Sequence, residues 1–175
     1  MSSRLPLVLA GAIVIVLLTV SAGIGSRFVV SPGARATVER VIDGDTLVVR
    51  GGAHVRLLQI DAPEAGEECY ARSATAELIR LAGPGARLEL EIDPGLDRVD
   101  RYGRLLRYVH AEELNVNLEL VRRGAATPWF YDGDRGRYAN QLLAATTTAR
   151  AARRGMWGAC RVSWNPYGPV TTRPR

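Results

Sequence analysis

Three short segments of this sequence bring carboxylates and arginines together in patterns that could do chemistry. They are Val41-Ile42-Asp43-Gly44-Asp45-Thr46, Arg56-Leu57-Leu58-Gln59-Ile60-Asp61-Ala62-Pro63-Glu64 and Asp100-Arg101-Tyr102-Gly103-Arg104. Hard carboxylate oxygens, as on Asp45 and Asp61, suit a Ca2+ or Mg2+ ion. A divalent ion held there would polarise a phosphoryl oxygen and help place an attacking water. Glu64, set beyond a strand end by the stiff Pro63, could take that water's proton or orient it. Arg56 and Arg104 could clamp the phosphate and stabilise charge that grows in the transition state. Together these side chains supply what metal-assisted phosphodiester hydrolysis requires. Histidine has no part in it, so His54 and His110 read as ordinary barrel-surface residues. Taken alone, Asp-Gly-Asp is more often a surface turn, because Asp caps and tolerates turn geometry.

Holding these residues in place calls for a small mixed fold. Ala36–Ile42 and Asp45–Arg50 are rich in β-branched residues and read as paired strands, with Gly51-Gly52 turning the chain into a third strand, His54–Ile60. In that strand Arg56 faces away from its immediate neighbours. Asp61–Tyr70 is an irregular acidic loop, in which Glu67 and Glu68 read as solvated charges. Ser73–Leu81 has helical spacing with Ser73 as its cap, and Gly83-Pro84-Gly85 ends it. Strands over Arg87–Ile92 and Arg104–His110 follow. A short helix spans Asn115–Arg123, stopped by Gly124, and a last helix runs from Gly136 to Arg154 with Leu142, Leu143, Thr146 and Ala149 inward. Arg161–Arg175 reads as an extended tail. Five short strands interrupted by one helix and followed by two more predict an α+β fold with a small barrel. An OB-type barrel is one candidate, although periodicity does not set strand order.

The chain has 175 residues, enough for one domain with appendages. With 47% hydrophobic and 23% charged residues it is neither disordered nor a coiled coil. All 23 basic residues are arginine. Two cysteines are too few for a disulfide-built mini-fold, and no Cys/His spacing suits zinc. Residues 5–26 form an uncharged run of 22 after Arg4, long enough to cross a bilayer. A cleaved signal peptide and a retained membrane anchor both fit, with a buried core helix as the third reading. Either of the first two places the remainder outside the cytoplasm. The net charge of +5 is unevenly distributed. Arg150, Arg153, Arg154, Arg161, Arg173 and Arg175 lie in a final stretch without acids, while the segment before it is slightly acidic. Overall basicity is therefore weak evidence for nucleic-acid binding.

The three blocks, in order and spacing, resemble the signature segments of the staphylococcal nuclease (thermonuclease) family. Leu114-Asn115-Val116-Asn117 with Leu120-Val121-Arg122-Arg123-Gly124 resembles the helix that follows them, and the likeness runs from Ala36 to Cys160. It implies a five-stranded OB-type barrel with three helices and a Ca2+-dependent site that cuts DNA and RNA endonucleolytically, leaving 3′-phosphate ends. By motif position, Asp45, Asp61 and the carbonyl of Ala62 would bind the metal. Glu64 would be the catalytic carboxylate, Arg56 and Arg104 the phosphate-binding arginines, and Arg101 and Tyr102 contacts to a neighbouring phosphate. The family's base-stacking region falls at Trp129-Phe130-Tyr131, with Phe130 taken as the substrate-binding position; Trp129 or Phe130 fits the core equally well. The expected organisation is a leader or anchor over 1–26, a linker over 27–35, the nuclease-like domain over 36–160 and a Pro/Arg-rich tail over 161–175. In an exported domain Cys69 and Cys160 would pair as a disulfide, two free thiols being the other possibility. A catalytically silent OB-type nucleic-acid-binding module is the alternative function. A membrane-tethered envelope domain is a third, which leaves the polar constellation unexplained.

Overall fold

The computed structural model describes residues 33–66 and 68–175. The hydrophobic segment 5–26 and residues 27–32 of the expected linker lie outside the described residues, and so does Glu67; Ala34 and Arg35, expected in the linker, belong to the first strand, where they pair with Leu90 and Glu89. Among the described residues no helix is long and apolar enough to cross a membrane.

Strand β1 (Ala34–Val41) pairs antiparallel with β2 (Thr46–Val49), which pairs in turn with β3 (His54–Leu57). The β1 register slips between Val38 and Arg40, and this bulge frees the first half of the strand to pair elsewhere. The third strand is shorter than its sequence pattern predicts. Gln59 takes φ 59, which interrupts the extended chain before β4 (Ile60–Asp61). After α1 (Ala71–Ala82), β5 (Arg87–Glu91) pairs with both β1 and β6 (Leu105–Ala111). A parallel pairing of β6 with β3, Val55 opposite Leu105 and Leu57 opposite Arg107, closes the five strands β1, β2, β3, β6 and β5 into a barrel. The fold is thus α+β with a closed five-stranded OB-type barrel, as expected.

Helix α2 (Val116–Arg122) follows the two-residue β7 (Leu114–Asn115), and β8 (Thr127–Pro128) pairs with β4. Asn115 caps α2 by accepting the Leu118 N–H at 2.9 Å. Buried Asn117 ties the helix to the barrel, accepting from Val109 N–H and donating to Leu58 O, both at 2.9 Å. The core joins Val38, Leu47, Leu57 and Val109 of the barrel to Leu78 of α1 and Leu120 of α2. Helix α1 begins two residues earlier than expected, so Ser73 lies inside its first turn and makes no cap.

The expected last helix, Gly136 to Arg154, is α3 (Ala139–Ala151), shorter at both ends, and a separate turn α4 (Met156–Ala159) follows Gly155, which takes φ 55. Leu142, Thr146 and Ala149 are buried as the pattern requires, and Leu143 partly. The tail is not a free extended segment. Its β9 (Cys160–Ser163) and β10 (Thr171–Pro174) pair as an antiparallel ribbon, and hydrogen bonds fasten the turn between them to the body. Phe130 N–H donates to Pro166 O at 2.7 Å, and the Trp164 indole N–H to Pro128 O at 2.8 Å. Nor is His110 an ordinary surface residue: its Nε2 lies 2.7 Å from fully buried Glu91, which also accepts from Tyr138 and Arg137.

Candidate active site

The β1–β2 turn is both a turn and part of a site. Ile42 N–H donates to Thr46 O at 2.9 Å, and the Asp43 side chain accepts Asp45 N–H at 3.0 Å, an Asx turn. Gly44 allows the turn to pack down: a Cβ there would stand 2.6 Å from the Ala62 methyl and 2.8 Å from that of Ala74. The result is a buried Asp45 carboxylate pressed against the end of β4. Its Oδ2 accepts Ala62 N–H at 2.7 Å and its Oδ1 accepts the Thr46 hydroxyl at 3.1 Å.

The break at Gln59 bends the chain around the Arg56 guanidinium. Arg56 Nη1 donates to Leu57 O at 2.9 Å and to Ile60 O at 2.7 Å, spanning the break. Its Nη2 lies 2.9 Å from Asp61 Oδ1 and 3.1 Å from Asp45 Oδ2. One buried guanidinium is therefore shared by two buried carboxylates. Burial pushes the Asp45 carboxyl up to about 7, against the pull of Arg56 and with the charges of Asp43 and Asp61 adding to the rise. Burial raises Asp61 as well, again opposed by Arg56. With both acids ionised the cluster carries one unbalanced negative charge, a setting that favours a cation. Among the described residues no three His, Cys, Asp or Glu side chains converge on one point. Asp45, Asp61 and the Ala62 carbonyl nevertheless offer only oxygen donors, and Ca2+ accepts carbonyl and water oxygens beside carboxylates. The residues present fit such an ion.

Beside this cluster lies a hollow of about 360 Å³, bordered by Arg56 and lined by Leu58, Arg101, Tyr102, Arg104, Trp129 and Tyr131 among others. Asp100 organises its far side. It accepts Tyr102 N–H and Arg104 N–H, each at 2.9 Å, and the Arg104 Nε–H at 2.6 Å. Burial alone would raise the Asp100 carboxyl, but these bonds hold it below the usual range. Arg101 and Arg104 both lie over the Tyr102 ring, 4.8 and 5.4 Å from its centroid, and that ring is 67% exposed.

Asp45, Arg56, Asp61 and Ala62 thus come together, and Arg56, Arg101, Tyr102 and Arg104 share one hollow. Glu64 stands exposed, three residues beyond Asp61. Phe130 is a correction. It is fully buried, because alternation along the extended chain from β8 turns it inward while Trp129 and Tyr131 face the hollow. Their rings meet edge-on at 5.8 Å, and Tyr131 is 62% exposed. Asp100 was legible only as part of a polar turn, its bonds to Arg104 being invisible in spacing. Glu68 is a second correction: its carboxylate is not merely a solvated charge but accepts two backbone amides, Glu64 N–H and Thr172 N–H. Cys69 and Cys160 form a disulfide.

Residues 54–159 match the family model described as Staphylococcal nuclease homologue. The chain is 35% identical to Micrococcal nuclease of Shigella flexneri, across 70% of this chain and 73% of that protein. It is 33% identical to Endonuclease YncB of Bacillus subtilis (strain 168), across 69% of this chain and 60% of the relative. To Endonuclease YhcR of the same organism it is 32% identical, across 69% of this chain but 11% of that protein. The chain therefore spans less than two thirds of either Bacillus relative.

Proposed function

This chain belongs to the staphylococcal nuclease family, and from that premise we propose that it is an exported, Ca2+-dependent nuclease cutting DNA or RNA internally to leave 3′-phosphate ends. The observation that carries this reading is the pair of buried carboxylates on one guanidinium, that of Arg56, which itself borders a hollow lined by arginines and aromatic rings. Asp45, Asp61 and the Ala62 carbonyl would hold the ion. When bound, Ca2+ supplies positive charge beside a phosphate oxygen and a more acidic water. Glu64 accepts the proton of the attacking water or orients it. Arg56 keeps both metal-binding carboxylates in register and adds its positive charge beside the hollow, while Arg104 donates to the phosphate. Arg101 and Tyr102 contact the neighbouring phosphate, while Trp129 and Tyr131 offer faces on which a base can stack. The disulfide is at home in an oxidising compartment, which supports export.

The test is digestion of single- and double-stranded DNA and of RNA by residues 33–175, with Ca2+ and with chelator, beside Glu64→Gln. Expected is Ca2+-dependent internal cleavage that the variant loses by at least about a hundredfold, with 3′-phosphate ends on the products. A folded protein that binds nucleic acid and cuts none of it would favour the silent binding module instead.

A further inference from the structure

The loop between Asp61 and α1 carries Glu64, and its packing does little to fix it, since Glu64, Ala65 and Gly66 are all exposed. Polar ties do that work, and they converge on the C-terminal ribbon. Glu68 Oε2 accepts Glu64 N–H at 2.9 Å, while its Oε1 accepts Thr172 N–H at 3.0 Å. Glu68 N–H donates back to Glu64 O at 3.2 Å. The Thr172 hydroxyl donates to Cys69 O at 2.6 Å, and Val170 N–H donates to Asp61 Oδ2 at 2.8 Å. Cys69 is bonded covalently to Cys160, the first residue of β9. One three-residue stretch of the ribbon, 170–172, thus grips both Asp61 and the loop bearing Glu64.

We propose that Glu68 is a positioning residue that bridges the ribbon to the backbone of Glu64, so that the C-terminal ribbon sets the placement of the reacting carboxylate. This deepens the nuclease reading and rests on it. Glu68 acts through Glu64 and need not touch substrate. A carboxylate suits the task because both of its oxygens accept, one for each amide. Glutamine at this position would turn an N–H2 toward one of the two N–H donors and lose that bond.

The experiment compares wild-type protein with Glu68→Gln and Glu68→Ala. Amide exchange at Glu64 and Thr172 is followed by NMR, kcat and KM are measured on single-stranded DNA with Ca2+, and Tm is recorded. Expected are faster exchange at both amides in Glu68→Ala and at one of the two in Glu68→Gln, with a kcat lower by about ten- to hundredfold, the penalty of a slightly misplaced group. KM and Tm should stay close to wild type. The inference is overturned by unchanged kcat in both variants, by a loss that merely tracks a fall in Tm, or by free exchange of the Glu64 amide in the wild type. Wild-type protein that cuts neither DNA nor RNA overturns the nuclease reading itself and takes the catalytic role of Glu68 with it. Normal wild-type cutting that ignores residue 68 removes this inference alone.

Discussion

Arg56 and Arg104 border the same hollow, yet their donors are committed differently. Both terminal nitrogens of Arg56 are engaged by Leu57, Ile60, Asp61 and Asp45, whereas the Arg104 guanidinium gives Asp100 only its Nε–H. Its terminal nitrogens remain for a phosphate while the Asp100 bond keeps the plane of the group fixed. Lysine is a compact point charge without the planar fork that reaches Asp100 and a phosphate from separate nitrogens. Arg104→Lys should therefore cut kcat by about a hundredfold or more, with Tm nearly unchanged; near-normal turnover would remove Arg104 from the clamp. Asp45 supports a second expectation at this scale. Its carboxyl titrates near 7 in the fold against 3.8 ordinarily. Between those values the folded chain holds a proton that the unfolded chain has lost, so this group's effect on stability is to lower it as pH rises from about 4 to about 7. Ca2+ competes with that proton and relieves the buried charge. Added Ca2+ should thus raise Tm clearly at pH 8 and little at pH 5. Scanning calorimetry reads both, and an equal gain at the two pH values would speak against Asp45 as a ligand.

Among the elements, the β1–β2 turn, the end of β4 and the first half of α1 meet at Gly44. The two atoms a Cβ would strike are methyls on backbone that has its own pairings, Ala62 on the strand end and Ala74 in the helix, so neither can swing away. Gly44→Ala should cost about 1–3 kcal/mol by overpacking, read as a lower urea midpoint, and should weaken Ca2+ binding because Asp45 rides on the same turn. A variant as stable as wild type would mean that α1 sits on the barrel with slack. Much of this arrangement could be read from sequence. The strands carry β-branched runs, the helices carry their spacing, and the three polar blocks name Asp45, Arg56, Asp61 and Arg104 outright. What escaped the sequence was set by contacts between distant segments. The strand pattern ran through Gln59 because its positive φ is held by partners far along the chain: its side chain bonds Asp134 O, Tyr108 and Gly136 N–H. Phe130 and its neighbours are all aromatic, so composition could not tell which one faces the hollow. The tail looked extended because neither half of a two-stranded ribbon shows its partner in local periodicity. Glu68 looked solvated because both amides it binds belong to backbone, one of them 104 residues away.

Across the whole molecule, the barrel and the site are closed by different means. Parallel pairing of β3 with β6 seals the barrel, and every strand in it comes before α2. The C-terminal ribbon is instead fastened by the Cys69–Cys160 bond, by the Thr172 and Val170 hydrogen bonds and by the contacts to Pro128 and Phe130. The two cysteines are 91 residues apart, and a cross-link of that span restricts the unfolded chain by about 4.6 kcal/mol in the loop-entropy account. For a domain of this size that corresponds to a Tm lower by about 10 °C on reduction. The same reasoning limits where the damage falls. At 25 °C reduced protein should keep the far-UV circular dichroism of the barrel, since no barrel pairing depends on the disulfide. Exchange should quicken first at the amides of residues 170–172 and in the 62–70 loop, the segments that the bond pins together. Thermal melts and exchange with and without a phosphine reductant, beside Cys160→Ser, test this directly. Unchanged Tm with unchanged exchange would mean that hydrogen bonds alone hold the ribbon, while collapse of the barrel signal at 25 °C would mean that ribbon and barrel form a single cooperative unit.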